Sequence, residues 1–290
     1  MPTYFHNENW LTAEGGVIPA NHRAFCFGDG YFESIRAING KAVFVDHHYQ
    51  RILDTAAAMH IHVPDSFTLP HFKDTLQTLL KRNDINEGGR IRATVSREPG
   101  GTYLPSSNAM DLFIQAVPFE HNLYTLNTEG KDIDLYPDLK KAVDKLSVFK
   151  TVNCNVYVMA SLYAREKNWD DALIQNYRSG IIEASSSNLF LVSNGVLYTP
   201  GLEDGPVGGT MRMNIINLAI EHGIKVYECS LSPQNLLVAD EIFLTNAIRG
   251  VQWVSSYRTK RYFNNTSKQM VGLLNEKVAA AQQADQAAGT

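Results

Sequence analysis

The sequence predicts an α+β protein built from two domains, and three observations support this. The chain has 290 residues, which is about the length of two ordinary domains. Segments with the apolar period of a strand alternate with segments of helical period along the chain. Residues 119–130 (FEHNLYTLNTEG) show neither period and are interpreted as a linker. We therefore predict a small N-terminal domain over residues 1–118 and a larger C-terminal domain over residues 131–290.

The N-terminal part has the pattern of a hairpin followed by two helices and two more strands. Asn39-Gly40 favours the positive φ angles of a tight turn, so residues 30–45 are predicted to form a β-hairpin. Asp46 is predicted to cap the helix that follows. The remaining elements of this part are predicted as helices over 46–61 and 71–82 and strands over 90–96 and 111–117.

The C-terminal part shows the same mixture of patterns. Two apolar runs flank the polar segment EASSSN, and the second run covers residues 188–192. Gly223 is predicted to end a helix, because glycine adopts the left-handed conformation common at helix C-termini. The other predicted elements are strands over 132–136, 172–175, 226–229 and 241–244, helices over 155–167 and 210–222, and a C-terminal helix that leads into a polar tail.

Composition argues against several classes of protein. The net charge is -4 and no basic run occurs, so neither nucleic acid nor an anionic membrane surface is indicated as a partner. No apolar stretch is long enough to span a membrane, and the first residues lack the pattern of a secretory signal. Cys26, Cys154 and Cys229 are scattered, which predicts no disulfide framework and no metal site. A cytoplasmic location is predicted.

Four features are single candidates for chemistry. They are Lys150 after an apolar run, Glu183 at the end of another, Arg51 on the first helix, and Gly208-Gly209-Thr210 at a helix start. Taken singly, each of these features is common at positions that have no functional role. Together they are the parts of a pyridoxal phosphate site: a lysine for a Schiff base, an acid for the ring nitrogen, and an arginine with a helix N-terminus for the phosphate. The sequence lacks both glycine-rich nucleotide patterns.

Five segments in order resemble the class IV, or fold-type IV, pyridoxal phosphate enzymes, which include the D-amino acid aminotransferases, branched-chain aminotransferases and 4-amino-4-deoxychorismate lyases. FGDGYFESIRAINGKAVFVDHHYQRILDTA is similar to the N-terminal block of the family, FKTVN to its lysine segment and EASSSNLF to its glutamate segment. VGGTMR is similar to its phosphate turn and ADEIFLTNA to its second phosphate strand. The resemblance covers nearly the whole chain and implies the D-amino acid aminotransferase-like fold, with two domains, the cofactor between them, and a homodimer.

The resemblance also implies roles for particular residues. It places the Schiff base on Lys150, the ring-nitrogen partner on Glu183 and a phosphate-binding arginine at Arg51. Small polar residues after Glu183, ending at Asn188, would then pack beside the cofactor ring. The remaining phosphate contacts are predicted at Thr210, Met211, Thr245, Asn246 and Ala247.

The choice among family members depends on fewer residues. GDG, EASSSN and the K-x-x-N of Lys150 and Asn153 are similar to D-amino acid aminotransferases, but the arginine-x-histidine pair of those enzymes is absent from SREPGGTYLP. At Met211, Ala247 and Ser34, the residue types are more similar to those of the lyases than to those of the aminotransferases. Phe32 and Ser34 are predicted to face the substrate. Arg36 and Arg97 are hypothesised to bind its carboxylate, because a guanidinium can do so through two hydrogen bonds, with Arg90 and Arg92 as alternates.

The sequence therefore predicts an aminotransferase that moves an amino group between small α-amino acids and 2-keto acids, with the D-series favoured. The alternative is a 4-amino-4-deoxychorismate lyase, which releases pyruvate and 4-aminobenzoate. A third hypothesis, a binding module that has lost catalysis, is disfavoured because Lys150 and Glu183 are both present.

Overall fold

The computed structural model describes residues 2–12 and 18–288, and the chain divides into two compact units. The first unit holds the chain up to Leu123 and takes in the short segment Phe149–Asn153. The second unit holds Tyr124–Val148 and the chain from Cys154 onward. The chain first passes from the first unit to the second between Leu123 and Tyr124, within the segment 119–130 that the sequence indicates as a linker. The return of residues 149–153 to the first unit differs from the predicted division, because so short a segment carries no periodic signal.

The first unit is built on a six-stranded antiparallel sheet. Its strands are β1 (Thr3–His6), β2 (Asn9–Thr12), β3 (Gly30–Ile38), β4 (Lys41–Ala42), β5 (Gly89–Arg97) and β6 (Met110–Pro118), and its helices are α1 (Arg23–Phe27), α2 (Val45–Ala58) and α3 (Leu69–Arg82). The strand order is β2-β1-β6-β5-β3-β4. Helices α2 and α3 bury their apolar faces against one side of this sheet.

Strand β3 has different neighbours on its two faces. Tyr31 and Ile35 belong to the core shared with α2 and α3, and the Tyr31 hydroxyl donates to the carbonyl oxygen of Ile52 at 3.0 Å. Phe32 and Ser34 point the other way, because successive side chains of a strand alternate between faces. The predicted hairpin turn between β3 and β4 is confirmed, since Asn39 and Gly40 have φ of 51° and 66°.

The start of α2 differs from the prediction. Phe44, with φ of 56°, is the residue that precedes the helix, and Asp46 lies in the first turn instead of capping it. A carboxylate in the first turn still interacts favourably with the helix dipole, and Asp46 also pairs with Lys73 of α3 at 3.0 Å. Helix α3 begins slightly earlier than predicted, after Thr68, whose hydroxyl accepts the N–H of His71.

The second unit is built on a nine-stranded sheet. Its strands are β7 (Lys131–Leu135), β8 (Asp171–Gln175), β9 (Ile181–Ala184), β10 (Asn188–Ser193), β11 (Val196–Thr199), β12 (Val226–Glu228), β13 (Glu241–Asn246), β14 (Gly250–Tyr257) and β15 (Lys260–Arg261), and its helices are α4 (Asn155–Glu166), α5 (Thr210–Glu221), α6 (Pro233–Val238) and α7 (Asn265–Ala288). The order is β12-β11-β10-β13-β14-β7-β8-β9, and β15 pairs with β14.

An additional pairing between β9 and β10 closes six strands of this sheet into a ring. The pairing joins Glu183 directly to Asn188, so the short turn that carries the three serines is the point of closure. Helix α5 packs against β13, which pairs with β10 inside this ring. Gly223 follows α5 with φ of 73°, as predicted. Within the described residues, none of the helices has the length and hydropathy of a membrane span.

Candidate active site

Lys150 lies on a segment that pairs with the beginning of β3. The N–H of Phe32 donates to the carbonyl oxygen of Lys150 at 3.0 Å, and the N–H of Val152 donates to the carbonyl oxygen of Gly30 at the same distance. Tyr31 and Thr151 form an isolated antiparallel bridge between these two hydrogen bonds. The backbone therefore fixes the lysine segment to the sheet of the first unit.

The side chain of Lys150 lies against an aromatic ring. Its Nζ atom is 4.2 Å from the ring centroid of Phe32, and Cζ of Arg92 is 3.8 Å from the same centroid. Phe32 is buried, and Ser34 is the residue directly opposite Arg92 in the β3–β5 pair. An amine and a guanidinium are thus placed against one apolar ring, and Ser34 lies opposite Arg92 on the same sheet.

The opposite face of β3 carries a buried charge cluster. Glu33 is 1% exposed, and its carboxylate accepts hydrogen bonds from Nε of Arg51 at 2.7 Å and Nη2 of Arg51 at 2.5 Å. Nδ1 of His48 lies 2.6 Å from the same carboxylate. Because a carboxylate can only accept, Nδ1 of His48 carries the proton of this hydrogen bond. Glu33 therefore fixes the direction of the arginine that the sequence assigns to a phosphate.

The environment of this cluster sets its protonation. Burial alone would raise the pKa of Glu33, but the charge of Arg51 and the hydrogen bond from His48 outweigh it and lower this pKa to about 2. Burial is also the main reason that the pKa of His48 is lowered, with the positive charges of Arg51 and Lys150 acting in the same direction. The cluster therefore contains an ionised Glu33 and a neutral His48 at neutral pH.

The side chain of Arg36 is buried and contacts other residues of the first unit. It is 1% exposed, its Nη2 donates to the carbonyl oxygens of His121 and Leu123, and its guanidinium lies 4.1 Å from the ring centroid of Phe119. These contacts tie β3 to the segment that leaves the first unit. The predicted role of Arg36 as a carboxylate binder stays a prediction, and the structure directs its Nη2 at backbone carbonyls.

The guanidinium of Arg97 is also bound by other groups of the first unit. Its Nη1 forms an ion pair with Asp29, its Nη2 donates to the carbonyl oxygen of Met59, and its Nε donates to Asn108 at 3.0 Å. Three directions of the guanidinium are thus occupied by the protein itself. Of the two alternates, Arg90 is exposed and Arg92 is the one that contacts Phe32. Among these arginines, the one that contacts Phe32 is thus Arg92, whereas Arg97 is held by Asp29, Asn108 and a backbone carbonyl.

Glu183 lies on β9 in the second unit and is 3% exposed. Its Oε1 accepts hydrogen bonds from Nζ of Lys141 at 2.7 Å and from the hydroxyl of Tyr157 at 2.9 Å. Its Oε2 accepts the backbone N–H of Val207 at 2.9 Å. Burial and the negative charge of Glu183 both raise the pKa of Tyr157 well above its usual value, so this hydroxyl remains a donor. Three hydrogen bonds therefore fix the position of the Glu183 side chain.

The predicted phosphate turn lies directly beside the point where the ring of strands closes. Nδ2 of Asn188 donates to the carbonyl oxygen of Val207 at 2.7 Å, and a methyl group added at Gly209 would overlap Oδ1 of Asn188. Helix α5 begins at Thr210, and no side chain caps its first turn. The sequence needs glycine here because the backbone passes so close to Asn188.

The second predicted phosphate segment lies at the end of β13. Thr245 pairs with Asn188 across the β10–β13 ladder, and its Oγ1 is buried with no hydrogen-bond partner among the described residues. Nδ2 of Asn246 donates to Oγ of Ser187 at 3.0 Å. The carbonyl oxygen of Ala247 accepts the hydroxyl of Tyr124 at 3.1 Å. The second unit thus brings together the predicted cofactor residues Glu183, Asn188, Thr210, Met211, Thr245, Asn246 and Ala247.

A family model described as amino-transferase class IV matches residues 30–257 of the chain. The chain belongs to the class IV aminotransferases. Among curated relatives of this class IV protein, a putative branched-chain-amino-acid aminotransferase of Methanocaldococcus jannaschii is 30% identical over 242 residues, which cover 82% of each chain. A D-alanine aminotransferase of Staphylococcus epidermidis is 27% identical over 256 residues, covering 85% of this chain and 86% of that protein.

Solved structures of class IV enzymes have the same fold. A branched-chain aminotransferase from Thermoproteus uzoniensis superposes with a TM-score of 0.86 at 23% identity, covering 95% of this chain and 93% of that chain. A putative 4-amino-4-deoxychorismate lyase from Legionella pneumophila has a TM-score of 0.83 at 26% identity, covering 91% of this chain and 96% of that chain. The predicted family and α+β fold are confirmed.

Class IV aminotransferases use pyridoxal phosphate, and the residues of this chain fit that cofactor. The buried Oγ1 of Thr245 lacks a partner within the described residues, and a phosphate oxygen would supply one. The uncapped first turn of α5 offers N–H groups suited to an anion. Oε2 of Glu183 accepts one hydrogen bond and keeps a lone pair for the ring nitrogen.

The turn before α5 provides a direct test of this fit. Gly209→Ala is expected to destabilise the protein by about 1–3 kcal/mol and to weaken pyridoxal phosphate binding, because the methyl group must displace Asn188. Gly208→Ala is the matched control, since a methyl group there would lie 3.5 Å from its nearest neighbour. Urea unfolding and cofactor titration measure both effects. Equal behaviour of the two variants would contradict the close approach of Gly209 to Asn188.

The sequence analysis does not identify four residues that contact the candidate site residues Arg51 and Glu183: they are Glu33, His48, Lys141 and Tyr157. For Glu33 and its neighbour His48 a signal exists, because an acid on the helix-facing side of a strand requires a partner when it is buried. Lys141 and Tyr157 carry none, because they lie 42 and 26 positions from Glu183 along the chain.

Proposed function

We propose that the protein catalyses amino transfer between a small α-amino acid and a 2-keto acid. The observation that carries this proposal is the arrangement around Phe32. Nζ of Lys150 and the guanidinium of Arg92 both lie on its ring, at 4.2 Å and 3.8 Å from the centroid. An α-amino acid presents an amine-bearing carbon and a carboxylate next to each other, so it needs a base and a cation placed in this way.

The proposed roles follow from the chemistry of each side chain. Lys150 binds the aldehyde of the cofactor through its ε-amine and then moves the proton at the substrate Cα. Bound pyridoxal phosphate supplies an electron sink for that step. Glu183 accepts a hydrogen bond from the ring nitrogen and keeps it protonated. Arg92, opposite Ser34 on the same sheet face, binds the substrate carboxylate in place of Arg36 and Arg97.

Each unit, taken by itself, has groups suited to a phosphate. In the first unit, Arg51 is held by two hydrogen bonds to the buried Glu33, which is the kind of support that fixes a guanidinium for an oxyanion. In the second unit, Thr210 and Met211 open α5, and the partnerless Oγ1 of Thr245 supplies a further hydroxyl. Asn246 and Ala247 complete the set through their backbone.

The D-series is the proposed stereochemical preference. It rests on the segments GDG and EASSSN and on relatives described as D-alanine aminotransferases at 25–28% identity. The test is to supply the protein loaded with pyridoxal phosphate with D-alanine, D-glutamate or L-leucine and to measure the 2-keto acid formed. Keto acid from a D-amino acid supports the proposal. Keto acid from L-leucine alone would replace the D-series by a branched-chain L-specificity.

A second candidate is the lyase reaction that gives pyruvate and 4-aminobenzoate. It is favoured by Met211 and Ala247, which take the places of two threonines, and by Ser34. The similarity to the putative lyase structure from Legionella pneumophila adds to it. The two reactions separate cleanly, because the lyase releases 4-aminobenzoate without needing a keto acid acceptor. Release of both products with no amino transfer would overturn the proposed function.

The carboxylate role of Arg92 predicts a specific kinetic change. Arg92→Gln is expected to raise KM for the amino donor by about 10-fold or more, because a charge-assisted hydrogen bond is lost from the bound substrate. Arg90→Gln is the matched control on the same strand and face, and it should leave KM unchanged because Arg90 is exposed. Steady-state kinetics decide between them. An unchanged KM in Arg92→Gln would remove Arg92 from the substrate site.

Two further predictions accompany this function. The family resemblance implies a homodimer whose partner subunit helps to complete the site, and sedimentation analysis of the purified protein measures the oligomeric state.

A cytoplasmic location is proposed from the scattered cysteines and the composition.

A further inference from the structure

Lys141 and Tyr157 contact the Glu183 carboxylate but have no part in the proposed reaction. Nζ of Lys141 lies 2.7 Å from Oε1, and the hydroxyl of Tyr157 lies 2.9 Å from the same oxygen. The side chains of Lys141 and Glu183 are 11% and 4% exposed. Such a pair is partly desolvated, so the attraction between its charges is screened less than in a surface pair.

Lys141 is held in place by several other contacts. Its Nζ also donates to the carbonyl oxygen of Ser147 at 2.8 Å and lies 5.3 Å from the ring centroid of Tyr157. Its backbone forms a parallel bridge with Asn176 next to β8. The ammonium group is therefore directed at Glu183 by the fold, and its position does not depend on a long exposed side chain.

The two oxygens of Glu183 have different partners. Both side-chain donors bind Oε1, whereas among the described residues Oε2 accepts the backbone N–H of Val207 alone, at 2.9 Å. A hydrogen bond from an ionised donor is stronger than one between neutral groups, so Lys141 is the stronger of the two anchors on Oε1. The contacts leave Oε2 as the oxygen with spare capacity.

We propose that Lys141 and Tyr157 are positioning residues that anchor Oε1 of Glu183 and so turn its Oε2 toward the ring nitrogen of pyridoxal phosphate. This inference rests on the proposed function, which assigns Glu183 to that nitrogen. Lys141 supplies a charged donor to Oε1. Tyr157 supplies a neutral donor that fixes the rotation of the carboxylate.

The groups that face the carboxylate come from three parts of the second unit. Among the described residues, the titratable side chains in contact with it are Lys141, which precedes the lysine segment, and Tyr157 of α4. Cys154 acts on the hydroxyl of Tyr157. The turn before α5 contributes the neutral N–H of Val207. Removal of Lys141 therefore removes the cation that contacts Glu183 within the described part of the unit.

The test measures pyridoxal phosphate affinity and the visible absorption spectrum of the bound cofactor for the full-length chain. In Lys141→Met, affinity is expected to fall by about 10-fold and the absorption maximum of the bound cofactor to shift, because Oε2 is no longer held toward the ring nitrogen. Lys141→Arg should restore both because it retains a cationic donor. Lys145→Met, at an exposed lysine of the same loop, is the matched control and should change neither.

Each outcome has a defined meaning. A spectral shift and a loss of affinity in Lys141→Met that Lys141→Arg reverses support the inference. An unchanged spectrum in Lys141→Met, with or without a loss of affinity, would overturn it, because a purely structural lysine does not act on the cofactor ring. If Lys141→Met does not fold, Tyr157→Phe is measured instead, and a spectrum and affinity equal to those of the wild type overturn the inference. A wild-type chain that binds no pyridoxal phosphate would refute the proposed function and this inference with it.

Discussion

Replacement of Lys150 by alanine is expected to lower kcat by about 10³-fold or more, because one ε-amine both binds the cofactor aldehyde and moves the proton at the substrate Cα. The fold should persist. The hydrogen bond from Phe32 uses the backbone carbonyl oxygen of residue 150, which alanine retains. Steady-state production of 2-keto acid measures the loss, and far-ultraviolet circular dichroism checks the fold.

Lys145→Ala is the matched control for this experiment. Lys145 lies five positions earlier in the sequence and is exposed, so its replacement should leave kcat within about twofold of the wild type, as for most surface substitutions. If Lys150→Ala keeps the wild-type kcat while Lys145→Ala loses it, the catalytic lysine is assigned to the wrong residue. If neither variant loses activity, the reaction does not use a lysine of this segment.

Glu33→Gln is expected to be the most destabilising single change in the first unit, at about 3–5 kcal/mol. Glutamine keeps the shape of the side chain but removes the negative charge that pairs with Arg51 and accepts the hydrogen bond of His48. The largely buried guanidinium then loses the negative charge of the carboxylate that contacts it. Urea unfolding at neutral pH measures the change. Glu87→Gln, at an exposed acid of the same unit, should change the free energy of unfolding by less than about 0.5 kcal/mol.

The same cluster predicts how stability depends on pH. The pKa of Glu33 is lowered from 4.5 to about 2 in the folded protein, so the folded state binds fewer protons than the unfolded state in this range. The stabilisation from Glu33 is therefore fully present above about pH 4.5 and is lost as pH falls toward 2. The difference in unfolding free energy between wild type and Glu33→Gln should shrink across this window. A constant difference would show that Glu33 does not carry the charge.

The sequence predicts those parts of the fold that depend on local rules. The hairpin turn at Asn39-Gly40 and the end of α5 at Gly223 follow from residues that tolerate positive φ. Strand β14 is not predicted, because its apolar alternation breaks at Ser255 and Ser256, where the pairing with β7 shifts register. Both serine hydroxyls bond to Asp132, a contact between distant segments that no local pattern indicates.

The candidate site shows the same division between local and distant information. Lys150 and Glu183 are predicted from short motifs, because each motif has a fixed local sequence. The arginine for the substrate carboxylate has no such motif, and the sequence analysis favours Arg36 and Arg97 with Arg92 as an alternate, although all three lie within one sheet. Only the structure shows that Arg36 and Arg97 are bound by backbone carbonyls and Asp29, whereas Arg92 lies on the ring of Phe32.

The central claim is that Lys150 is the residue that binds pyridoxal phosphate, and one measurement tests it most directly. The protein loaded with the cofactor is reduced with borohydride, digested and examined by peptide mass spectrometry. The predicted result is a pyridoxyl phosphate group on the peptide that contains Lys150, and its absence from the Lys150→Ala variant. A group found on Lys141 or another lysine, or no stable adduct on any peptide, would contradict the account.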